Sequence, residues 1–215
     1  MRNRVLLFAT LLWAGAACRS LGPELVRVEM PGVSPFPPGS FSEIIVTDFR
    51  NEAPLPDFDA GRELRTFLES ELRHAFDGTV AVLPLPAGAV VSPESWKDAA
   101  AGRSRAVFLT GTVRLAGQVR KAVGGRKVPV DSPFNVTGRA LVEQIRWTLS
   151  VDLEIISAET GEALYSNTFR EDRDYGELDK PAEFAFSDLS SGFRARLFPI
   201  LLGSPTFEQR MLFRR

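Results

Sequence analysis

The sequence contains very few of the side chains that most enzymes use for chemistry. Its 215 residues include one cysteine, Cys18, and one histidine, His74. A single cysteine excludes an internal disulfide, and His/Cys zinc sites and Cys–His dyads need more of these residues than the chain carries. A Ser-His-Asp triad would have to use His74, and no G-x-S-x-G motif is present. His74 also falls off the apolar stripe of a predicted helix, which predicts a surface residue rather than a general base.

Charge and glycine patterns exclude further classes of protein. The chain has 26 Lys and Arg against 27 Asp and Glu, a formal net charge of -1. Without a basic excess to hold a phosphate backbone, we expect no nucleic-acid partner. No phosphate-binding loop and no G-x-G-x-x-G fingerprint is present, so we expect no cofactor. The composition, 44% hydrophobic and 25% charged, is that of an ordinary folded domain.

The N-terminus has the order of a bacterial export signal. Two early arginines precede an apolar run at residues 5–13, small residues follow at 15–17, and Cys18 comes next. The apolar run is too short to span a membrane, which takes about 20 residues. This order resembles the lipobox of bacterial lipoproteins, although Gly15 stands where that family usually has an aliphatic residue. The resemblance implies cleavage before Cys18 and acylation of its thiol; the alternative is an ordinary signal peptide with a chance cysteine.

The sequence accordingly divides into three parts. Residues 1–17 are predicted to be a signal peptide, residues 18–40 a lipidated cysteine with a Pro/Gly-rich tether, and residues 41–215 a single periplasmic domain. Prolines and glycines forbid a continuous helix in the tether, although residues 25–30 alternate and could add a short strand. Arg19, not Asp, follows the cysteine, and the resemblance to enterobacterial sorting then implies the outer membrane, facing the periplasm.

Hydrophobic spacing and capping residues predict three helices and five strands in the domain. The helices are residues 64–76 with Asp59 as N-cap, a short helix opened by Ser92 and Pro93, and residues 186–200 interrupted near Pro199. The strands, rich in β-branched residues or alternating in polarity, are residues 41–49, 79–85, 106–115, 147–155 and 164–170. Residues 123–138 are predicted to form a loop or a hairpin tip.

The order of these elements predicts an α+β fold. A strand–helix–strand start favours a parallel pair, and the late hairpin adds antiparallel strands. We therefore expect a single mixed β-sheet with helices packed on it, in the order strand-helix-strand-helix-strand-hairpin-helix. Alternation in the clearest strand puts Trp147 and Leu153 on a buried face and Asp152 on a wet one. Gly111, inside another strand, predicts a bulge or close packing.

Carboxylates are the remaining groups that could do chemistry. Glu171, Asp172 and Asp174 alternate with Arg170 and Arg173 after the last predicted strand, and two more acids follow. A pair of acids could serve glycoside hydrolysis or bind calcium. Because the acids alternate with arginines and lack an EF-hand spacing, we expect a solvated loop instead.

A run of basic residues offers a second kind of site. It comprises Arg114, Arg120, Lys121, Arg126 and Lys127, spread along the third predicted strand and the loop after it. The favoured interpretation is a solvated hairpin. The alternative is a face that meets anionic headgroups or lipopolysaccharide phosphate.

Three segments resemble motifs of a group of periplasmic lipoproteins. They are IIVTDFRN at residues 44–51, AVFLTGTV at 106–113 and ISAETGEALYS at 156–166. The group includes the curli secretion component CsgG, the penicillin-binding-protein activator LpoB and the N-terminal domain of TolB, and the resemblance covers roughly residues 41–175. The lipopolysaccharide-assembly lipoprotein family shares the anchor and the layout, and stays open as the alternative. Both resemblances imply a fold, and neither implies catalytic residues.

The sequence therefore predicts a non-enzymatic, lipid-anchored envelope protein that docks onto a protein partner. The best remaining groups for catalysis are His74, Glu171, Asp172 and Asp174, and each is predicted to be solvated. A lipopolysaccharide-transport lipoprotein is the second hypothesis, and an envelope hydrolase is the third. A pore is disfavoured because only residues 113–143 could supply a spanning hairpin, and their interior is glycine, proline and charge. The partner and the oligomeric state stay open.

Overall fold

The described part of the chain forms eight strands and three helices. The structure, a computed structural model, describes residues 24–30, 34–37, 39–85, 92–125, 139–203 and 206–212. The strands are β1 (Glu24–Met30), β2 (Glu43–Thr47), β3 (Arg50–Asn51), β4 (Thr79–Leu83), β5 (Ala106–Gly125), β6 (Arg139–Ser157), β7 (Ala163–Tyr175) and β8 (Thr206–Leu212). The helices are α1 (Ala60–Ala75), α2 (Pro93–Ala100) and α3 (Ala182–Leu202). The predicted signal peptide, Cys18 and residues 126–138 lie outside the described residues.

Six strands form one mixed sheet. Its order is β4-β2-β5-β6-β7, with the short β3 alongside β5. β2 pairs in parallel with both β4 and β5, while β5, β6 and β7 pair antiparallel. The predicted α+β class, the parallel start and the late hairpin are therefore confirmed.

Helices α1 and α2 begin where the sequence predicts, and α3 begins four residues earlier than predicted. The Asp59 carboxylate accepts hydrogen bonds from the backbone N–H groups of Gly61 (3.0 Å) and Arg62 (3.4 Å), capping α1. The Ser92 hydroxyl accepts from the Ser95 N–H at 3.3 Å, and proline occupies the first turn of α2. Each bond satisfies a backbone donor that the first helical turn leaves free. No helix of the described chain has the length and apolar character needed to cross a bilayer.

Most of the core lies between one face of the sheet and helices α1 and α3. The residues that α1 buries are Leu64, Leu68 and Leu72, and those of α3 include Phe193 and Leu197. They pack on the alternate residues of β6 that the sequence places on its buried face, Trp147, Leu149, Val151, Leu153 and Ile155. The predicted alternation in this strand is confirmed.

The opposite face of the sheet is covered only in part. Helix α2 packs Trp96 there against Phe108, with ring centroids 4.8 Å apart, and Ile45 and Ile156 complete a second apolar cluster. This cluster covers β2 and the adjoining ends of β5 and β6. Beyond it, the same face of β5, β6 and β7 carries polar side chains, among them Thr112, Asp152 and Thr168. We call this surface the open face.

A separate two-stranded sheet joins the two ends of the described chain. β1 pairs antiparallel with β8, from Glu24 opposite Leu212 to Met30 opposite Thr206. The possible short strand at residues 25–30 is thus confirmed, and its partner was not predicted. We call this sheet the ribbon. Ser34, just after it, donates a hydrogen bond to the Ile200 carbonyl at 2.6 Å and so ties the start of the body to α3.

Several elements run further than predicted, among them β5, β6 and α3. β5 continues past Leu115 to Gly125, because Gly117 leaves room for the indole of Trp147, whose ring lies 3.1 Å from where a Cβ would be. Helix α3 continues through Pro199 to Leu202 instead of breaking. Leu197 and Leu201 on either side are buried in the core, which holds the last turn in place despite the missing N–H.

Candidate functional site

The acidic cluster does not lie in a loop. Asp172 and Asp174 belong to β7, which continues to Tyr175 and forms an edge of the sheet. The prediction of a solvated loop at these residues was wrong. Sequence patterns miss this end of β7 because its residues are charged on both faces, and charged side chains are common on edge strands.

On the open face, polar side chains of three strands bridge one another. The Asp152 carboxylate of β6 accepts hydrogen bonds from the hydroxyls of Thr112 on β5 (3.2 Å) and Thr168 on β7 (2.6 Å). Two rows further on, Thr148 donates to Asp172 at 2.5 Å. This bond holds the pKa of Asp172 below its usual value.

The next row of the open face is a charged triad. The guanidinium of Arg146 binds both carboxylate oxygens of Asp174, each at 2.9 Å, and Arg120 binds the same carboxylate from β5. The bidentate bond to Arg146 holds the pKa of Asp174 below its usual value. The carboxylates of Asp152, Asp172 and Asp174 thus all accept hydrogen bonds from neighbouring side chains. None of the three is left unpaired to act as a general base.

On the helix side of β7, the charged residues pair with α3. Glu171 accepts from Arg196 at 2.8 Å, and Arg173 donates to Asp188 at 2.9 Å. The hydroxyl of Tyr175 donates to Asp188 at 2.8 Å. Burial and this bond raise the pKa of Tyr175 to about 12. These pairs dock α3 on the edge strand and explain why both faces of β7 carry charge.

The other residues considered for chemistry stand apart. His74 is exposed on α1, with its Nδ1 atom 2.6 Å from the Ser70 carbonyl of the preceding turn. Among the described residues, no three His, Cys, Asp or Glu side chains come together in a way that could hold a metal ion. Of the basic run, Arg114 and Lys121 are exposed, and Arg120 is paired with Asp174. Residues 126 and 127 lie outside the described chain.

The glycine and asparagine of the resembling motifs have structural roles. Asn51 accepts from the Ala53 N–H (3.2 Å) and donates to the α1 cap Asp59 (3.3 Å). A Cβ on Gly111, whose φ is +147°, would lie 1.9 Å from the Asp152 carbonyl oxygen. A Cβ on Gly161, whose φ is +70°, would lie 2.0 Å from the Pro93 carbonyl oxygen. The predicted close packing at Gly111 is confirmed, and these motif residues explain the fold rather than an activity.

A cleft that sequence reasoning did not find opens at the end of the body next to the ribbon. Its volume is about 610 Å³, within the range of small-molecule sites. Three segments far apart in sequence line it: residues 34, 36, 37 and 39–42 before β2, residues 75–78 at the end of α1, and residues 201–203 at the end of α3. Arg105, just before β5, completes the lining.

Aromatic rings form the apolar wall of this cleft. Phe41 lies between Phe36 and Phe76, with ring centroids 5.7 Å and 5.9 Å away. Arg105 binds the Gly39 carbonyl with its guanidinium. Its own carbonyl accepts from the N–H groups of Ser42 (2.8 Å) and Glu43 (3.4 Å). The cleft is thus apolar on one side and carries fixed polar groups on another.

Comparison with known proteins identifies no family for this chain. No family model matches it, and no curated protein matches it. Several solved structures do match. A variant of the PelC dodecamer from Paraburkholderia phytofirmans is 16% identical, with a TM-score of 0.43 over 83% of this chain and 98% of that one.

Bacterial lipoproteins are among the other solved structures to which the chain is similar. Lipoprotein GNA1162 from Neisseria meningitidis is 14% identical, with a TM-score of 0.33 over 73% of this chain and 97% of that one. Lipoprotein B from Nitrosomonas europaea is 14% identical, with a TM-score of 0.35 over 78% of this chain and 88% of that one. Values this low assign no function to the chain.

Proposed function

We propose that this protein is a non-enzymatic envelope lipoprotein, anchored in the outer membrane by an acylated Cys18, that docks onto a protein partner through the open face of its sheet. The observation that carries the proposal is the open face itself. Three long strands lack helical cover there, and their side chains are ordered by mutual hydrogen bonds. An interface of polar composition is typical of partners that associate and separate.

The ribbon supports the anchoring half of this proposal. Glu24 lies at the end of the ribbon far from the body, and Cys18 precedes it by only six residues. Seven paired residues span about 23 Å at about 3.3 Å each. Part of the segment predicted as a tether is therefore ordered in the ribbon, which leads from the body toward the position of Cys18.

The ion pairs of the open face support a docking role over catalysis. A general acid or base needs a carboxyl whose pKa is moved toward neutrality. The pKa values of Asp172 and Asp174 are instead moved downward by Thr148 and Arg146. Both groups therefore stay ionised and bonded at neutral pH, as expected for residues that shape a surface.

A lipopolysaccharide-transport lipoprotein remains the second proposal, and one observation weakens it. That role calls for a free basic face to meet phosphate groups. Arg120, the member of the basic run nearest the other strands, is bound to Asp174 together with Arg146. Asp174 therefore holds both guanidinium groups in place and compensates one of their two positive charges, so Arg120 is less free to meet a phosphate group.

Site-specific photo-crosslinking tests the docking surface. A photoreactive amino acid is placed at Gln118, Ser150 or Ser166, which lie on the open face, and in a control at Arg62, which is exposed on α1. We expect one adduct of constant mass from the three sheet positions in living cells, and none from Arg62. Adducts from Arg62 alone, or no adduct from any sheet position, would overturn the open face as the docking surface.

Complementation separates docking from catalysis. Glu171→Gln and His74→Ala change candidate catalytic groups that lie off the open face. Both should leave the envelope phenotype intact, because neither group is asked to carry a proton. A single such variant that folds, reaches the membrane and yet abolishes function would contradict the non-enzymatic proposal.

A further inference from the structure

We propose that the cleft beside the ribbon binds the headgroup of a zwitterionic phospholipid, with the ammonium group toward Asp77 and the phosphate toward Arg105. The proposal rests on the membrane anchoring proposed above, since the anchor would keep the cleft near a lipid surface. It concerns a different part of the molecule from the open face, and it names a ligand that the docking proposal does not require.

Opposite charges lie on the two sides of the cleft. Asp77 comes just before β4 and Arg105 just before β5, and both strands pair with β2 between them. Two strand spacings of about 4.8 Å place their backbones roughly 10 Å apart. Among the described residues, neither side chain has an ion-pair partner, in contrast to the acids of the open face, where Asp172 and Asp174 are paired. A ligand that carries both charges would satisfy both groups.

The ends of two helices strengthen the site for an ammonium group. The last residues of α1 and α3 line the cleft, and Asp77 follows the C-cap of α1, Phe76. Carbonyl groups at a helix C-terminus carry partial negative charge and favour cations. A purely anionic headgroup would be repelled by these carbonyls and by Asp77. Arg105 would be the one positively charged residue of the lining to bind it. The electrostatics of the cleft therefore favour a zwitterion over an anion.

The apolar wall matches the rest of such a ligand. Phe36, Phe41 and Phe76 lie edge-on or tilted to one another, and Leu201 and Leu202 line the cleft beside them. Aromatic faces also attract an ammonium group when water is excluded. The rings would hold the glycerol and the first acyl carbons while the two charged groups hold the headgroup.

The backbone at Arg105 is an independent mark of a site. Its φ is +59°, a left-handed conformation that non-glycine residues seldom adopt. Hydrogen bonds from Ser42 and Glu43 to its carbonyl hold the residue in this conformation. Backbone held in such a region is concentrated at ligand sites, where the surrounding structure overrides the strain. The guanidinium of the same residue is held beside the cleft by its bond to the Gly39 carbonyl.

The position of the cleft suits a lipid ligand. Ser34 and Gly203 line it, and the ribbon begins a few residues away from each of them, at Met30 and Thr206. The cleft therefore opens at the end of the body from which the chain leads to Cys18. Headgroups of the anchoring membrane are the ligands that this end would meet first.

Calorimetric titration of the full chain carrying Cys18→Ser tests the proposal without an anchoring membrane. Three single-chain lipids of equal acyl length are compared below their micelle concentrations: lysophosphatidylethanolamine, lysophosphatidylglycerol and an alkyltrimethylammonium salt. We expect the zwitterionic lipid to bind about tenfold more tightly than either of the others, because each of those loses one charge-assisted contact. Equal affinity for all three would overturn the proposal, as would tighter binding of the anionic lipid.

Charge-neutralising variants assign the two ends of the ligand. Arg105→Gln and Asp77→Asn should each weaken binding of lysophosphatidylethanolamine about tenfold. Arg103→Gln and Asp98→Asn, which remove the same charges outside the cleft lining, should leave it unchanged. Circular dichroism checks that each variant folds. If the cleft variants bind as well as these controls, the assignment is wrong.

The two proposals fail separately. Acylation of Cys18 with no lipid binding in the cleft would overturn the cleft proposal alone. Lipid binding in the cleft, together with a natural chain whose Cys18 takes up no acyl label in cells, would overturn the anchoring proposal alone.

Discussion

Truncation of Leu153 tests the packing of the central sheet most sharply, because the next residue in sequence faces the other side. Leu153 is completely buried in the core that α1 and α3 cover. Leu153→Ala removes three buried carbons, a transfer loss of about 2.5 kcal/mol at roughly 0.8 kcal/mol for each. The cavity that remains raises the cost in unfolding free energy to about 3–4 kcal/mol. For a chain of this size, that corresponds to a fall in Tm of about 6–16 °C.

Urea unfolding followed by circular dichroism measures this free energy, and calorimetry measures the Tm. The matched control is Glu154→Ala, since Glu154 is exposed on the open face, and we expect a cost within about 0.5 kcal/mol. Asp152, which also faces away from the core, is a less suitable control. Its carboxylate accepts hydrogen bonds from Thr112 and Thr168, and these would be lost on substitution. Equal costs at 153 and 154 would refute the assignment of the buried face.

Three further outcomes follow from single side chains. Gly111→Ala places a Cβ 1.9 Å from a carbonyl oxygen at a φ of +147° and should cost at least about 2 kcal/mol in urea unfolding; Gly102→Ala, where nothing lies within 4 Å, should cost less. Thr148→Val removes the bond that lowers the pKa of Asp172, so an NMR titration should find that pKa closer to its ordinary value. The pKa of Tyr175 is raised to about 12, so the native state retains a proton that the unfolded chain releases near pH 10. Its stabilising contribution is complete below that pH and is lost as the pH rises toward 12, and unfolding of Tyr175→Phe should depend less on pH in this range.

Sequence patterns predicted the elements whose residues have one apolar face. The stripe of α1, the caps Asp59 and Ser92, and the alternation of β6 all reflect local rules that the tertiary structure respects. Burial on one face leaves a period in the sequence, and a capping residue leaves a polar side chain at a fixed offset. Such elements can therefore be located without a structure.

The same patterns failed for elements that are held by contacts with distant residues and show no regular alternation of apolar and polar residues. The end of β7 is charged on both sides because Asp174 pairs across the sheet while Arg173 pairs with α3. The far end of β5 includes Gly117, which a local rule interprets as a break, whereas the Trp147 indole fills the space beside it. β1 pairs with β8 at the opposite end of the chain, and no short-range signal marks that pairing.

The cleft was beyond sequence reasoning for a related reason. Phe41, Phe76, Arg105 and Leu202 come from four segments that the sheet and two helices bring together. None of these residues is unusual in its local sequence. The left-handed backbone at Arg105 could not be foreseen either, because the hydrogen bonds that hold it come from the start of β2.

Labelling with radioactive palmitate, followed by separation of inner and outer membranes, tests the central claim of a lipid-anchored envelope protein most directly. The natural chain should carry the label and be recovered with the outer membrane. Cys18→Ser should abolish the label and release the domain from the membrane fraction, while Ser20→Ala, a nearby change that spares the thiol, should alter neither. Unchanged labelling and membrane recovery of Cys18→Ser would contradict the account.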